Sequence, residues 1–220
     1  MTEPSSVQPR HRGSKPLLSR EAIVAAALDC LREGGPAALT MRGVANRLET
    51  GPASLYAWVK DQHEIHVLVL DAIASEVATP NAADPPEQQL VDLLLDYGRR
   101  LFAYRGAARL ALAAPPTGPV HLDLLERSLV LAEQQGLDAA TAASVLDTLF
   151  LLVTAGLAEQ EARAADEARG SIPDLYADAM SGDGPGVRPH LAAALRQLLT
   201  IDGEQRLAWS IRTFLRGAAG

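Results

Sequence analysis

Cysteine is nearly absent: Cys30 is the single one in 220 residues, so neither a disulfide framework nor a Cys-rich zinc site can be built, and a reducing, cytoplasmic setting is expected. The N-terminal MTEPSSVQPRHRGSKPLLSR has no apolar core of the kind a secretory signal carries. The longest apolar stretch, Val145 to Leu157, is 13 residues long and is interrupted by Asp147, short of the roughly 18 to 20 residues of a membrane span, so no membrane partner is expected. Strand-like alternation is missing throughout. His11, His63, His66, His121 and His190 are scattered, with no HExxH, no paired Glu-x-x-His and no nucleophile motif. His63 and His66 could share a helix face, but nothing completes a metal site, so no metal, no cofactor and no enzymatic activity are expected. The remaining alternative of an enzyme is a helical-bundle one. An excess of positive charge is also lacking, with 20 Lys+Arg against 27 Asp+Glu.

That acidity is unevenly placed. Residues 1–70 carry 8 Lys+Arg against 7 Asp+Glu, and residues 71–220 carry 12 against 20. DNA binding needs a local cationic face and not a basic chain, so contact is permitted at the N-terminal end and disfavoured elsewhere. Residues 1–18, with Pro4, Pro9, Gly13, Pro16, Arg10, Arg12 and Lys15, read as a flexible basic arm.

What the chain has in abundance is helical periodicity. Ser19 caps a pattern whose stripe is Ile23, Ala26, Ala27, Cys30 and Leu31, stopped at Gly34-Gly35-Pro36. Thr40 caps a short second helix with Met41, Val44, Ala45 and Leu48 on one face. After Glu49-Thr50-Gly51, Pro52 opens a third helix, where its missing N–H costs nothing, with Leu55 and Val59 buried. Asp61-Gln62-His63-Glu64 starts a fourth with the stripe Ile65, Leu68, Val69, Ala72, Ile73. Further helices are expected over about 87–104, 106–114, 119–135, 138–168, 188–200 and 203–217. The expected fold is all-α, with a three-helix helix-turn-helix domain at 19–65 and a helical ligand-sensing and dimerisation domain at 66–220.

A short helix, a three-residue turn and a second short helix must cross steeply on the first helix to bury their apolar faces. That geometry presents one exposed helix to a major groove, although an αα-corner in some other helical protein has the same spacing. Tyr56 and Trp58 cannot both be buried beside Leu55 and Val59. Exposed next to Lys60, in a chain only 4% aromatic, they fit contact with a sugar-phosphate backbone. The plainer alternative for Trp58 is a partly buried core residue.

Ala22 to Ile73, AIVAAALDCLREGGPAALTMRGVANRLETGPASLYAWVKDQHEIHVLVLDAI, resembles the DNA-binding domain of the tetracycline-repressor (TetR) family without gaps, including the LT-x-R start of the second helix and the LY-x-x-V-K block. GAARLALAAPPTGP, LAEQQGL and GLAEQEA farther on are similar to the sensor domain of tetracycline repressors proper. The resemblance implies phosphate contacts for Thr40 and Tyr56, and a phosphate or helix-end role for Lys60. It implies a guanine contact for Arg42, base or thymine-methyl contacts for Pro52, Ala53 and Ser54, and a place on the same face for Ala57 and Trp58. Arg47 is expected to face phosphate or solvent. Glu49 departs from the family's usual turn glycine, and a positive φ there would cost on the order of 1 kcal/mol.

The same resemblance implies a homodimer formed by the 138–168 and 203–217 helices, the latter through Leu207, Ile211, Phe214 and Leu215, matched to palindromic double-stranded operator DNA. It implies a small-molecule effector among Tyr97, Tyr104, Pro116, Leu124, Arg127, Val145 and Leu149. Ala111 and Ala158 stand where tetracycline repressors hold the drug-bound magnesium. A hard cation finds no ligand in a methyl group, so a metal-free, largely apolar effector is expected. A family member that binds ligand without an operator is the alternative.

Overall fold

The computed structural model describes residues 18–114, 117–165 and 188–219. The expectations for the arm before residue 18, for Pro115 and Pro116, and for the Ser181–Gly186 turn lie outside the described residues. Among the described residues there are ten α-helices, one 3₁₀ turn and no strand.

The first four helices are α1 (Arg20–Gly34), α2 (Met41–Arg47), α3 (Pro52–Leu55) and α4 (Gln62–Ser75), with the 3₁₀ turn Pro36–Ala38 after α1. Their starts are where the capping chemistry places them. Ser19 Oγ accepts from the Ala22 N–H at 3.1 Å, Thr40 Oγ1 from Gly43 at 3.0 Å and Asp61 Oδ1 from Glu64 at 2.9 Å. The Glu64 carboxylate returns to the Lys60 N–H at 2.8 Å, one residue farther back than in an ordinary capping box. The α1 stripe Ile23, Ala26, Ala27, Cys30 and Leu31 is buried as its spacing demands, and α2 packs on both α1 and α3, with Val44, Ala45 and Leu55 buried.

The second part comprises α5 (Pro86–Phe102), α6 (Ala107–Ala113), α7 (Pro119–Gln134), α8 (Ala139–Ala165), α9 (Pro189–Thr200) and α10 (Gly203–Ala218). Both parts share one continuous apolar cluster, and α4 is the reason. It lies against α1 on one side and α5, α6 and α7 on the other. The boundary expected at residue 65 therefore falls inside a helix that serves both cores.

A second joint sits beside it. Gly106 has φ +76°, and a Cβ there would come within 2.3 Å of the Pro36 ring; only glycine fits against the turn that follows α1. The Arg32 guanidinium lies 4.8 Å over the Tyr104 ring, while the Tyr104 hydroxyl donates to the Glu76 carboxylate. Glu161 on α8 accepts from the Gly106 N–H at 2.9 Å.

Two expectations need correction. By length and composition alone helix α8 is long and apolar enough to cross a membrane, a property it shares with core helices of water-soluble proteins. Counting only the run from Val145 to Leu157 missed the alanines and hydroxyl residues that extend it. Its inner positions Ala142, Leu146, Leu149 and Val153 are nonetheless buried in the core. The expected seam on α10 is divided. Ile211 and Leu215, one turn apart, are fully buried within the protomer, whereas Phe214 is 45% and Trp209 67% exposed, because each step of a helix turns the side chain by about 100°. Ion pairs from Arg216 to Glu87 at 2.8 Å and from Arg99 to Glu204 pin α10 to α5.

Leu215 and Phe214 should consequently respond differently to substitution. Leu215→Ala is expected to lower unfolding free energy by about 2 to 5 kcal/mol through the cavity it leaves. Phe214→Glu is expected to leave the unfolding midpoint nearly unchanged under conditions that keep the protein monomeric. Urea titrations followed by circular dichroism check both; equal losses would mean that α10 packs with a different face inward.

Candidate nucleic-acid interface and ligand cavity

The α2–α3 pair is held by a turn with a strained residue. Glu49 has φ +51°, the left-handed region expected to cost a non-glycine residue on the order of 1 kcal/mol. The chain is locked there by Thr50 N–H to Ala45 C=O at 3.0 Å, and α3 begins with Ser54 N–H to Gly51 C=O at 3.0 Å. On α2, Gly43 passes so close to the preceding turn that a Cβ would lie 2.3 Å from the Ala38 carbonyl oxygen. Helix α3 is a single turn, extended by Trp58 and Val59 N–H groups that both bond to the Leu55 carbonyl.

Leu55 and Val59 point into the core. That leaves Pro52, Ala53, Ser54, Tyr56, Ala57, Trp58 and Lys60 exposed, together with Arg42 on the adjoining helix. Tyr56 is 59% and Trp58 42% exposed, so both present ring surface to solvent. Thr40 is half-buried; its oxygen serves as the α2 cap, and its O–H is a donor beyond that. The nine residues expected to meet DNA thus occupy two adjoining helices and the segments beside them.

Arg47 is elsewhere. Its guanidinium makes a two-pronged pair with Glu33, both bonds at 2.7 Å, and a third bond to Asp29 at 3.2 Å. These bonds raise its pKa further and hold Glu33 below the usual carboxylate range. Arg47 is exposed, as expected of a residue facing solvent, and also ties α2 to α1, because two acidic side chains one turn apart on α1 suit its planar fork.

In the second part of the chain a cavity of about 410 Å³ opens between α4, α5, α6, α7 and α8, with a mainly aliphatic wall of leucine and alanine. Its aromatic wall is Tyr97, His121 and Phe150. Tyr97 meets His121 edge-on at 5.5 Å and Phe150 at 5.3 Å between centroids. Burial pushes the Tyr97 hydroxyl up to about 12, with a hydrogen bond to Thr154 acting the other way. Burial pushes His121 below its ordinary range, opposed by the nearby Asp71 carboxylate. The His121 Nδ1 atom is buried without a hydrogen-bond partner.

His121 is held through its backbone as well. The first turn of α7 starts from Gly118, which has no side chain to cap it, and from Pro119, which has no N–H. The carboxylate of Asp71, reaching across from α4, accepts the His121 N–H at 2.8 Å. A Cβ on Gly118 would lie 2.4 Å from that same carboxylate oxygen.

Of the residues expected around an effector, Tyr97 lines this cavity, as does Ala111. Leu124 and Leu149 are fully buried in the core and Val145 nearly so, while the next residues along, Leu125, Phe150 and Leu146, face the cavity. Tyr104 belongs to the joint with Arg32 and Glu76, and Arg127 lies 3.5 Å from the Thr79 hydroxyl. Pro116 lies outside the described residues. His121, Thr154 and Asp71 were not anticipated. Their signal was a polar residue at a buried position of an otherwise apolar helix stripe. Among the described residues no group of three His, Cys, Asp or Glu side chains could hold a metal.

An all-helical protein with an exposed short-helix pair at one end and a largely apolar cavity at the other is the architecture of a one-component regulator. The chain belongs to the TetR family of transcriptional regulators: residues 83–218 match the tetracyclin repressor-like C-terminal domain. It is 29% identical over 210 residues to the class D tetracycline repressor protein of Escherichia coli, spanning 91% of this chain and 88% of that one. A Saccharopolyspora erythraea HTH-type transcriptional regulator is 35% identical over 107 residues, and the match spans 45% of that relative's length. Among solved structures, the Streptomyces coelicolor TetR family protein ActR in complex with actinorhodin is 30% identical, with a TM-score of 0.81 over 92% of this chain and 96% of that one.

The lowered His121 pKa carries a stability consequence. Because the folded protein binds the proton less well than the unfolded chain, the contribution is present above the unfolded value of 6.5 and is lost as pH falls from there toward the folded value. Urea midpoints should fall as pH drops below 6.5, and His121→Phe should flatten that slope. An identical slope in wild type and variant would place the titrating group elsewhere.

Proposed function

We propose that this chain is a ligand-responsive cytoplasmic repressor that binds a palindromic operator as a homodimer and is released by a small-molecule effector. The observation that carries the reading is the outward placement of Arg42, Pro52, Ala53, Ser54, Tyr56, Ala57, Trp58 and Lys60 on a helix-turn-helix, while its apolar residues are buried. In this reading Arg42 reads a guanine edge. Pro52, Ala53 and Ser54 meet bases, Ala57 packs beside them, and Thr40, Tyr56, Trp58 and Lys60 hold the backbone.

The dimer forms through the outer faces of α8 and α10, where Leu151, Trp209 and Phe214 are exposed. The effector occupies the cavity beside Tyr97 and His121. Magnesium-tetracycline is disfavoured as that effector, because Ala111 and Ala158 stand at the positions where the resemblance places the magnesium-linked residues, and a methyl group is no ligand for a hard cation. The cavity residues reach the DNA-binding part through α4, whose Asp71 holds the turn that carries His121.

The test is a set of operator titrations across a range of salt. Arg42→Ala is expected to lose about 1 to 3 kcal/mol of discrimination between cognate and random duplex. Lys60→Ala and Tyr56→Phe are expected to weaken binding to both alike, with Lys60→Ala reducing the salt slope by about one. Arg47→Ala should destabilise the fold while leaving sequence preference intact. Wild-type protein that shows no duplex binding at low salt would leave a family member that binds ligand alone.

A further inference from the structure

The charges around the cavity are of one sign. Among the described residues that line it none is Lys or Arg, and Asp147 stands exposed in its wall. Directly behind His121 is a second carboxylate, Asp71, buried and bonded to the His121 N–H. Burial disfavours the charged imidazolium. Among the described residues at the cavity, the start of α7 is the feature suited to drawing in an anion, because a helix N-terminus offers unpaired N–H groups and a positive dipole end. That position is already taken by the protein's own Asp71, and Gly118 is the residue that lets the carboxylate approach.

The remaining recognition groups are rings and neutral polar atoms. Tyr97 meets His121 and Phe150 edge-to-face while His121 and Phe150 are tilted at 46° to each other, with centroids 5.3 to 6.5 Å apart, and such a cluster can accept a further aromatic ring by stacking or edge contact. The His121 ring lines the cavity, and with Nδ1 enclosed and unpartnered the exposed edge of its imidazole is the part that a ligand's substituent can meet. A volume of about 410 Å³ falls within the range of small-molecule sites.

We propose that the cavity selects flat aromatic molecules carrying no negative charge, with the His121 imidazole bonding their polar substituent and the Asp71 and Asp147 carboxylates turning anions away. This rests on reading the cavity as the effector site.

The test is isothermal titration of the full chain with two probes of one three-ring body: hydroxymethyl-anthraquinone and the anthraquinone carboxylate substituted at the same ring position. The alcohol is expected to bind at least about tenfold more tightly, a difference of ~1.4 kcal/mol. Asp71→Asn keeps an oxygen to accept the His121 N–H and removes the charge, and should narrow that gap to about threefold. His121→Phe keeps an aromatic ring without a nitrogen and should weaken alcohol binding by about fivefold. Circular dichroism melts of both variants verify that they fold. Equal affinity for the two probes, or tighter binding of the carboxylate, overturns the charge selection and leaves the effector cavity standing. Binding of neither probe by a protein that still binds DNA overturns both.

Discussion

Helix α4 carries a carboxylate, Asp71, into the interior, and the surrounding elements are arranged to satisfy it. An ionised group removed from water is tolerable only with strong partners, and here the partner is the first turn of α7, through the His121 N–H at 2.8 Å. The arrangement solves a problem at each end. The carboxylate gains a donor and the favourable end of a helix dipole, and α7, begun by Gly118 and Pro119, gains the cap its own sequence does not provide. Gly118 is then required, since any Cβ would collide with the carboxylate. The bond ties the wall of the cavity to the helix that also supports the helix-turn-helix.

Two routes therefore join the proposed effector site to the proposed DNA surface. One is α4, packed against α1 at its start and holding α7 farther along. The other is α6, whose later residues Ala111 and Leu112 line the cavity while Gly106, just before its start, presses on Pro36 beyond the end of α1. A ligand can shift the DNA-binding arrangement only by as much as its affinity differs between two states. Both routes begin at residues the ligand would touch.

The helix-turn-helix was legible in the sequence because its determinants are local. The caps Ser19, Thr40 and Asp61 bond within three residues of themselves, Leu55 and Val59 are one helical turn apart, and Glu49 does take the positive φ that its place in the turn implied. What failed to show was decided across long separations. Arg47 pairs with acids on another helix, and the cap of α7 comes from fifty residues upstream. Around the cavity, a displacement of one residue turned Leu124 into Leu125, Val145 into Leu146 and Leu149 into Phe150. The apolar stripe identifies the buried side of a helix, but a rotation of about 100° separates the face toward the core from the face toward a hole in it.

The central claim is that two copies of the α2–α3 surface read DNA together, and it is tested most directly by selecting bound duplexes from a random pool with the full chain. The account predicts enrichment of an inverted repeat whose half-sites lie about one helical turn, roughly 10 to 10.5 base pairs, or a multiple of it, apart, with that enrichment erased in Arg42→Ala. Recovery of a single unrepeated site, or a pool no different from the one supplied, would contradict it.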